Sequence, residues 1–275
     1  MQRILFEVNK ETCMLSSDTM VIRDSFEYQN WYRNEQDYLL LYAFKDGDKA
    51  YRGLIDLMLD NNGIEIETLD DFTPVGSIEF VEHFLGKQIN AINIPNKLNK
   101  KKYTGRNTLT VGKEVFDSAY KLIEMKLGKG VRVFIKDAEH CKKFDPIIYK
   151  DRDSETDLPD KLFISEEVDI RSEFRAFVFR NKILDCRQYL GEFTDTYDKE
   201  LLADMVREWT DSPTAYTLDI GVLENGETVI IEAHNFIACG LYGFEAASKL
   251  PSMTTIAFKE EKYNRKVGGG VEKEG

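Results

Sequence analysis

The chain has 275 residues, 42% hydrophobic and 12% aromatic, with a formal net charge of −12 at pH 7. That length and apolar content suit one elaborated domain or two, each with a real core, and the acidic balance argues against a nucleic-acid backbone or an anionic membrane as main partner. Cys13, Cys141, Cys186 and Cys239 lie far apart with no CxxC pair, against a zinc site or disulfide framework; no stretch approaches the ~18 apolar residues of a membrane span; and MQRILFEVNKETCML lacks a leader's apolar run and cleavage site. The expectation is a soluble, cytoplasmic protein with reduced thiols.

In chain order, RILFEV (3–8) and YLLLYAF (38–44) read as strands. Asp46-Gly47 marks a turn. The spacing of Tyr51, Leu54, Ile55, Met58 and Leu59 predicts a helix over 49–60, stopped by Asn61-Asn62-Gly63. IEIETL (64–69) alternates like a strand, and Ser77 caps a helix over 78–85. Strands alternating with short helices predict an α/β domain over 1–95. NKLNKKKYTGRNTLTVG (96–112) reads as a polar, basic connector. A helix follows over 113–127, with Val115, Phe116, Ala119, Leu122 and Ile123 on one stripe and Gly128 at its end. VRVFIK (131–136) is a strand. The polar stretch 137–160 is long for a structureless connection and reads as a lid or a disordered loop. KLFISEEV (161–168) is a strand, 173–179 and 183–190 form a hairpin around Arg180-Asn181-Lys182, and 198–209 is an amphipathic helix. Two short helices broken at Pro251 are predicted over 241–258, and a disordered polar tail over 259–275.

The chemistry concentrates in AYTLDIGVLENGETVIIEAHN (215–235), where two β-rich runs flank Asn225-Gly226, a strong hairpin signal. With a two-residue loop, Glu224 faces Glu227 and Asp219 stands opposite Glu232, which brings their Cβ atoms to about 4.5–5.5 Å. Two carboxylates that close stay ionised together only around a cation, and hard oxygens on a rigid ladder suit Mg²⁺. The plain alternative is an exposed hairpin whose charges face water. Lys136 ends an apolar strand, with Lys142 and Lys143 beyond it; taken singly, each reads first as a surface lysine. Arg175 sits inside a β-branched and aromatic strand, where a charge needs a partner. Arg187 lies opposite Arg175 if the hairpin loop has three residues and not if it has two, a register the sequence leaves open. Cations for an anionic chain and carboxylates for Mg²⁺, without a Walker-type loop, are what a nucleoside-triphosphate site requires.

The chain resembles the ATP-grasp superfamily, and within it the phage- and bacteria-associated clade distinguished by an arginine and two lysines at the nucleotide site. PVGSIEFVEHF (74–84), VFIK (133–136), KKF (142–144), FISEEV with SEFRAFVF (163–179), and LDIGV with IIEAHNFIACGLYGF (218–244) carry the likeness. The resemblance implies an α/β (α+β) chain with an N-terminal pre-grasp domain (1–95), an antiparallel-sheet nucleotide-binding core (96–258) and the tail (259–275). It also implies ATP and Mg²⁺ as cofactors. Lys136 with Lys142 or Lys143 would contact phosphates. Glu166, Glu167 and Val168 would form the adenine hinge, and Glu173 would lie near the ribose. Arg175, with Arg187, would meet the transferred phosphoryl group, and Asp219 and Glu232 would bind the metal. Where such hairpins read Glu-x-Asn, this one reads Glu232-Ala233-His234: His234 either ligates the metal or is a hydrogen-bonded structural histidine, with Asn235 the alternative ligand. The implied reaction joins a small-molecule or peptide carboxylate to an amine through an acyl phosphate. The alternatives are a regulatory nucleotide-binding protein, which His234 motivates, and a phage structural module in which the hairpin is only scaffold.

Overall fold

A computed structural model of the chain describes residues 2–30, 38–46, 50–53, 72–150 and 157–263. They fall into two compact units: Met1–Lys87 with Pro213–Ala215 and Asn235–Arg265, and Gln88–Ser212 with Tyr216–His234.

In the first unit, β1 (Gln2–Val8) lies at the centre of a sheet. It pairs in parallel with β2 (Tyr38–Asp46) on one side and with β4 (Phe72–Val75) on the other. Ile4, Phe6, Phe26, Tyr38 and Val75 form its core. Phe26 comes from α1 (Ser17–Tyr28), a helix that periodicity did not reveal, because its buried residues are only Thr19, Ser25 and Phe26. Its signal is instead the Ser16 cap, whose hydroxyl accepts from the Thr19 N–H at 3.3 Å. Ala50–Gly53 are not the start of a helix but a strand, β3, paired antiparallel with β2. The sheet edge and the packing of Tyr51 edge-on to Phe80 at 4.9 Å override the helical spacing. The remainder of the predicted 49–60 helix, and the 64–69 strand, lie outside the described residues. As expected, α2 (Ile78–Leu85) starts at Ser77 and ends at Gly86, whose φ of +66° suits a glycine cap. Pro251 does not break a helix: it sits in the first turn of α6 (Leu250–Lys262), where the ring costs no hydrogen bond, after one 3₁₀ turn at Ala247–Lys249. That helix runs past the expected end of ordered structure at 258.

The second unit holds two four-stranded sheets. In one, β5 (Thr108–Gly112) pairs with β8 (Lys161–Glu166), β8 with β6 (Val133–Asp137), and β6 with β7 (Ile147–Tyr149), all antiparallel. Thus the predicted basic connector contains the one-turn helix α3 (Lys101–Thr104) and an edge strand, and the 137–160 stretch contains β7. The helix α4 (Phe116–Leu127) covers one face through Phe116 and Tyr120 against Val133, Ile135, Leu162 and Ile164. The other sheet has the order β10-β9-β11-β12, with β9 Ile170–Phe179, β10 Lys182–Leu190, β11 Ala215–Leu223 and β12 Thr228–Asn235. Phe174, Ala176 and Val178 of β9 join Tyr216, Leu218, Ile220 and Val222 of β11 in the main core. The helix α5 (Lys199–Glu208) closes it with Leu202, Met205 and Val206. Alternation then sends Glu173, Arg175, Thr217 and Asp219 to the opposite face.

Candidate functional site

Two hairpins build the site, and each reaches its register through an irregularity. In β9–β10 the loop is the two-residue Arg180-Asn181, both residues left-handed (φ 51° and 58°), which suits a tight hairpin turn. A two-residue loop alone would miss Arg187, yet Arg187 stands opposite Arg175, because the register shifts between Ile183 and Asp185. One extra residue on β10 reverses the alternation. In β11–β12 the two-residue loop is corrected to three. The Gly226 N–H donates to the Leu223 carbonyl at 2.8 Å and the Leu223 N–H to the Glu227 carbonyl at 2.9 Å, with Gly226 at φ +82°. Leu223, not Glu224, therefore faces Glu227, and counting outward would put Asp219 across from Ile231. Even so, Asp219, Glu232 and His234 converge, with one ligand atom from each lying within 4.8 Å of the others. The strand supplies the compensation: Ile230 and Ala233, three apart, both pack in the main core, which strict alternation forbids. Between them β12 changes phase and turns Glu232 and His234 toward Asp219.

Asp219 is 1% exposed and Arg175 8%. They form a two-pronged pair, Nε to Oδ1 at 2.8 Å and Nη2 to Oδ2 at 2.7 Å, which is how a buried charge escapes its desolvation cost. Lys136, 9% exposed, extends from β6 in the facing sheet and places Nζ 2.5 Å from Glu232 Oε2. Asn93 holds those strands together: its carbonyl accepts from the Ala233 N–H at 2.7 Å, and its amide donates to the Ala138 carbonyl at 3.2 Å. His234 Nε2 lies 2.8 Å from Glu232 Oε1. Burial opposes ionisation of Glu232, but the His234 hydrogen bond and the Lys136 charge outweigh it and hold the carboxyl well below the usual range. For His234 burial again opposes charge. Hydrogen bonds with Cys141 and Glu232, and the charges of Glu232 and Asp219, push it up to about 9.

The sequence reading missed Tyr189. Its hydroxyl donates to Glu173 at 2.6 Å and lies 3.5 Å from Asp219, and its ring centre is 5.7 Å from the Arg175 guanidinium carbon. A second register shift, between Gln188 and Leu190, decides where it falls, and no periodicity could show that. Thr217, two positions before Asp219 and on the same face by alternation, is fully buried with its hydroxyl unpartnered.

The remaining candidates are not members of the Asp219–Glu232–His234 cluster. Lys142 and Lys143 are exposed in the β6–β7 connection, Lys142 at φ +53°. Glu166 ends β8 and accepts from the Asn107 backbone at 2.9 Å and its amide at 2.5 Å, while Glu167 pairs with Arg132 at 2.8 Å; Val168 is half-buried. Arg187 donates to Asp185 at 2.8 Å. Asn235 belongs to the first unit, where its amide donates to Glu261 at 3.0 Å. An apolar cavity of about 440 Å³ opens between α4, β5 and β8, lined by Leu109, Val111, Leu122 and Ile164. It lies on the α4 side of the sheet, and Lys136 is not among its lining residues.

The cluster fits a divalent cation. Three donors around one ion with ~2.1 Å bonds stand about 3–4 Å apart, so the ligand atoms, which lie within 4.8 Å of one another, would draw together around it. Phosphate oxygens would offer Lys136 and Arg175 an alternative to the carboxylates they now neutralise.

A family profile described as an ATP-grasp domain, the second family of its clade, matches residues 102–250. No curated protein sequence matches significantly. Among solved structures, a D-Ala:D-Ser ligase, VanG, from Enterococcus faecalis aligns at 12% identity over 93% of this chain and 99% of its own, TM-score 0.55. A D-alanine-D-alanine ligase from Coxiella burnetii aligns at 11% identity over 96% and 97%, TM-score 0.52. A D-cycloserine synthetase aligns at 9% identity over 93% and 99%, TM-score 0.55. Likeness at such identities establishes a shared fold.

Proposed function

The chain belongs to this ATP-grasp domain family and has the ATP-grasp fold; from that premise we propose that it is an ATP-dependent ligase joining a carboxylate to an amine. The observation that carries the reading is the double ion pair of the second unit, Arg175 on Asp219 and Lys136 on Glu232. Two cations able to hold phosphates lie against two carboxylates able to hold a metal. In this reading the nucleotide's phosphates draw Lys136 and Arg175 away from their carboxylates, which become free for a divalent cation, Mg²⁺ being the ion the family resemblance implies. Held by Asp219 and Glu232, with His234 or Asn235, that ion would supply positive charge to offset that of the phosphates. The γ-phosphoryl group passes from ATP to an oxygen of the substrate carboxylate, and ADP leaves. The amine nitrogen then attacks the acyl carbon, inorganic phosphate departs and the amine loses a proton. Lys136 and Arg175, with Arg187 and with Lys142 or Lys143, hold the charge that develops on the transferred group, and Tyr189 keeps the Arg175 guanidinium in place. Glu166, Glu167 and Val168 offer their backbone to the adenine edge and Glu173 its carboxylate to the ribose. Asn235, which the resemblance offers as the alternative metal ligand, belongs to the first unit, where its amide donates to Glu261. No protein nucleophile is needed. The acceptors in this reading are a small-molecule or peptide carboxylate and an amine.

The test has two stages. ATP with a divalent cation should raise the melting temperature of the wild type and not of Asp219→Asn or Lys136→Ala. With pooled amino acids and acidic peptides, ADP should then accumulate. Stabilisation without ADP from any acceptor mixture would favour the regulatory nucleotide-binding reading, for which the His234–Glu232 hydrogen bond speaks. No stabilisation at all would leave the hairpin a scaffold.

A further inference from the structure

The cluster contains a nitrogen ligand. Mg²⁺ demands oxygen ligands and gives up its waters reluctantly, whereas imidazole suits iron, cobalt, nickel, copper and zinc ions, for which affinity also rises through most of the series. His234 is held in the cluster by position rather than by chance. The phase change between Ile230 and Ala233 turns it to the Asp219 face, and Glu232 grips its ring at 2.8 Å. Asn235, which would have supplied an amide oxygen and kept the site all-oxygen, directs its amide nitrogen to Glu261 in the first unit.

From this ligand set we infer that the cation site is a two-carboxylate, one-imidazole centre of Asp219, Glu232 and His234 that selects a borderline divalent transition ion of the Fe²⁺-to-Zn²⁺ group over Mg²⁺. The inference rests on reading the cluster as the cation site of the proposed ligase, and it assigns that site its metal class. The carboxylates fix the charge and His234 fixes the choice of ion. Thr217, buried and unpartnered on the same face, is an added oxygen available to a ligand there.

Metal-stripped full-length protein is titrated separately with Co²⁺ and Mg²⁺, without nucleotide. Co²⁺ should bind one ion per chain and show, in proton NMR, the strongly shifted, solvent-exchangeable N–H signal of a metal-bound imidazole. His234→Asn should remove that signal and weaken Co²⁺ binding by about tenfold or more while changing Mg²⁺ affinity by no more than about twofold. His140→Asn, outside the cluster, should change neither. Absence of the shifted N–H signal in the wild type overturns the proposal whatever the variants do, and so does a cobalt-over-magnesium preference that is undiminished in His234→Asn. A parallel thermal-shift titration with ATP separates the two readings. If ATP does not bind while the imidazole signal is present, the ligase reading fails and the metal assignment stands; if ATP binds and the signal is missing, only the metal assignment fails.

Discussion

At the scale of single residues, the Arg175–Asp219 pair is the most consequential contact in the second unit. Both side chains are nearly sealed from water, so removing one leaves the other charged and unsolvated. Arg175→Ala should therefore cost about 3–5 kcal/mol, whereas Arg175→Met combined with Asp219→Leu should recover most of that loss. Urea unfolding of the single and double variants measures both, and a single variant within about 1 kcal/mol of wild type would show that water reaches the pair after all. Arg175 and Asp219 were both legible in the sequence as groups needing partners, since an arginine inside an apolar strand cannot stay alone. That they partner each other was not, because the two lie 44 positions apart in the chain. Tyr189 was not legible at all. A tyrosine in a strand is ordinary, and only the register shift beside it places the hydroxyl between Glu173 and Asp219.

At the scale of elements, both hairpins show how alternation, the main signal in a strand, can be right in outcome and wrong in route. The two-residue Asn225-Gly226 loop predicted Asp219 facing Glu232. The loop has three residues, and a phase change in β12 restores the meeting. In β9–β10 the loop does have two residues, and the shift after Ile183 still brings Arg187 opposite Arg175. Such irregularities are set by packing against neighbours, which local sequence does not encode. The three-residue loop depends on Gly226, whose φ of +82° strains any residue with a side chain. Nothing crowds a Cβ there, so Gly226→Ala should lower stability by only about 1 kcal/mol through backbone strain. A small fall in melting temperature with unchanged metal affinity is the expected pattern. Loss of metal affinity would show that the loop, rather than the phase change in β12, sets the geometry of Glu232.

At the scale of the whole molecule, the formal charge of −12 makes an anionic nucleotide a poor guest except where cations are gathered, as Lys136 and Arg175 are. Because each now neutralises a carboxylate, nucleotide and cation should assist each other's binding: phosphates release the carboxylates, and the cation releases the lysine and arginine. Such coupling is reciprocal and on the order of 1–3 kcal/mol. ATP affinity should rise by about fivefold or more on adding the divalent cation, and Lys136→Met should shrink that gain. Calorimetric titration of ATP with and without cation measures it; a gain of equal size in Lys136→Met would rule out the exchange. The described residues include no helix long and apolar enough to cross a membrane.

By itself the sequence determined the parts that depend on neighbours along the chain. These include the cap at Ser77, the stripe of the helix expected over 113–127, the strands that carry Lys136, Arg175 and Asp219, and a motif order specific enough to reveal the family. Tertiary structure decided what depends on distant surfaces. It made 50–53 a strand against β2, placed Pro251 inside the start of a helix, returned Asn235 to the first unit, and brought Lys136 onto Glu232 from across 96 positions of chain. The physical reason is the same in each case. Capping and periodicity are local hydrogen-bonding and burial preferences, whereas ion pairing and register are settled only when separate surfaces meet and each buried charge must find its partner.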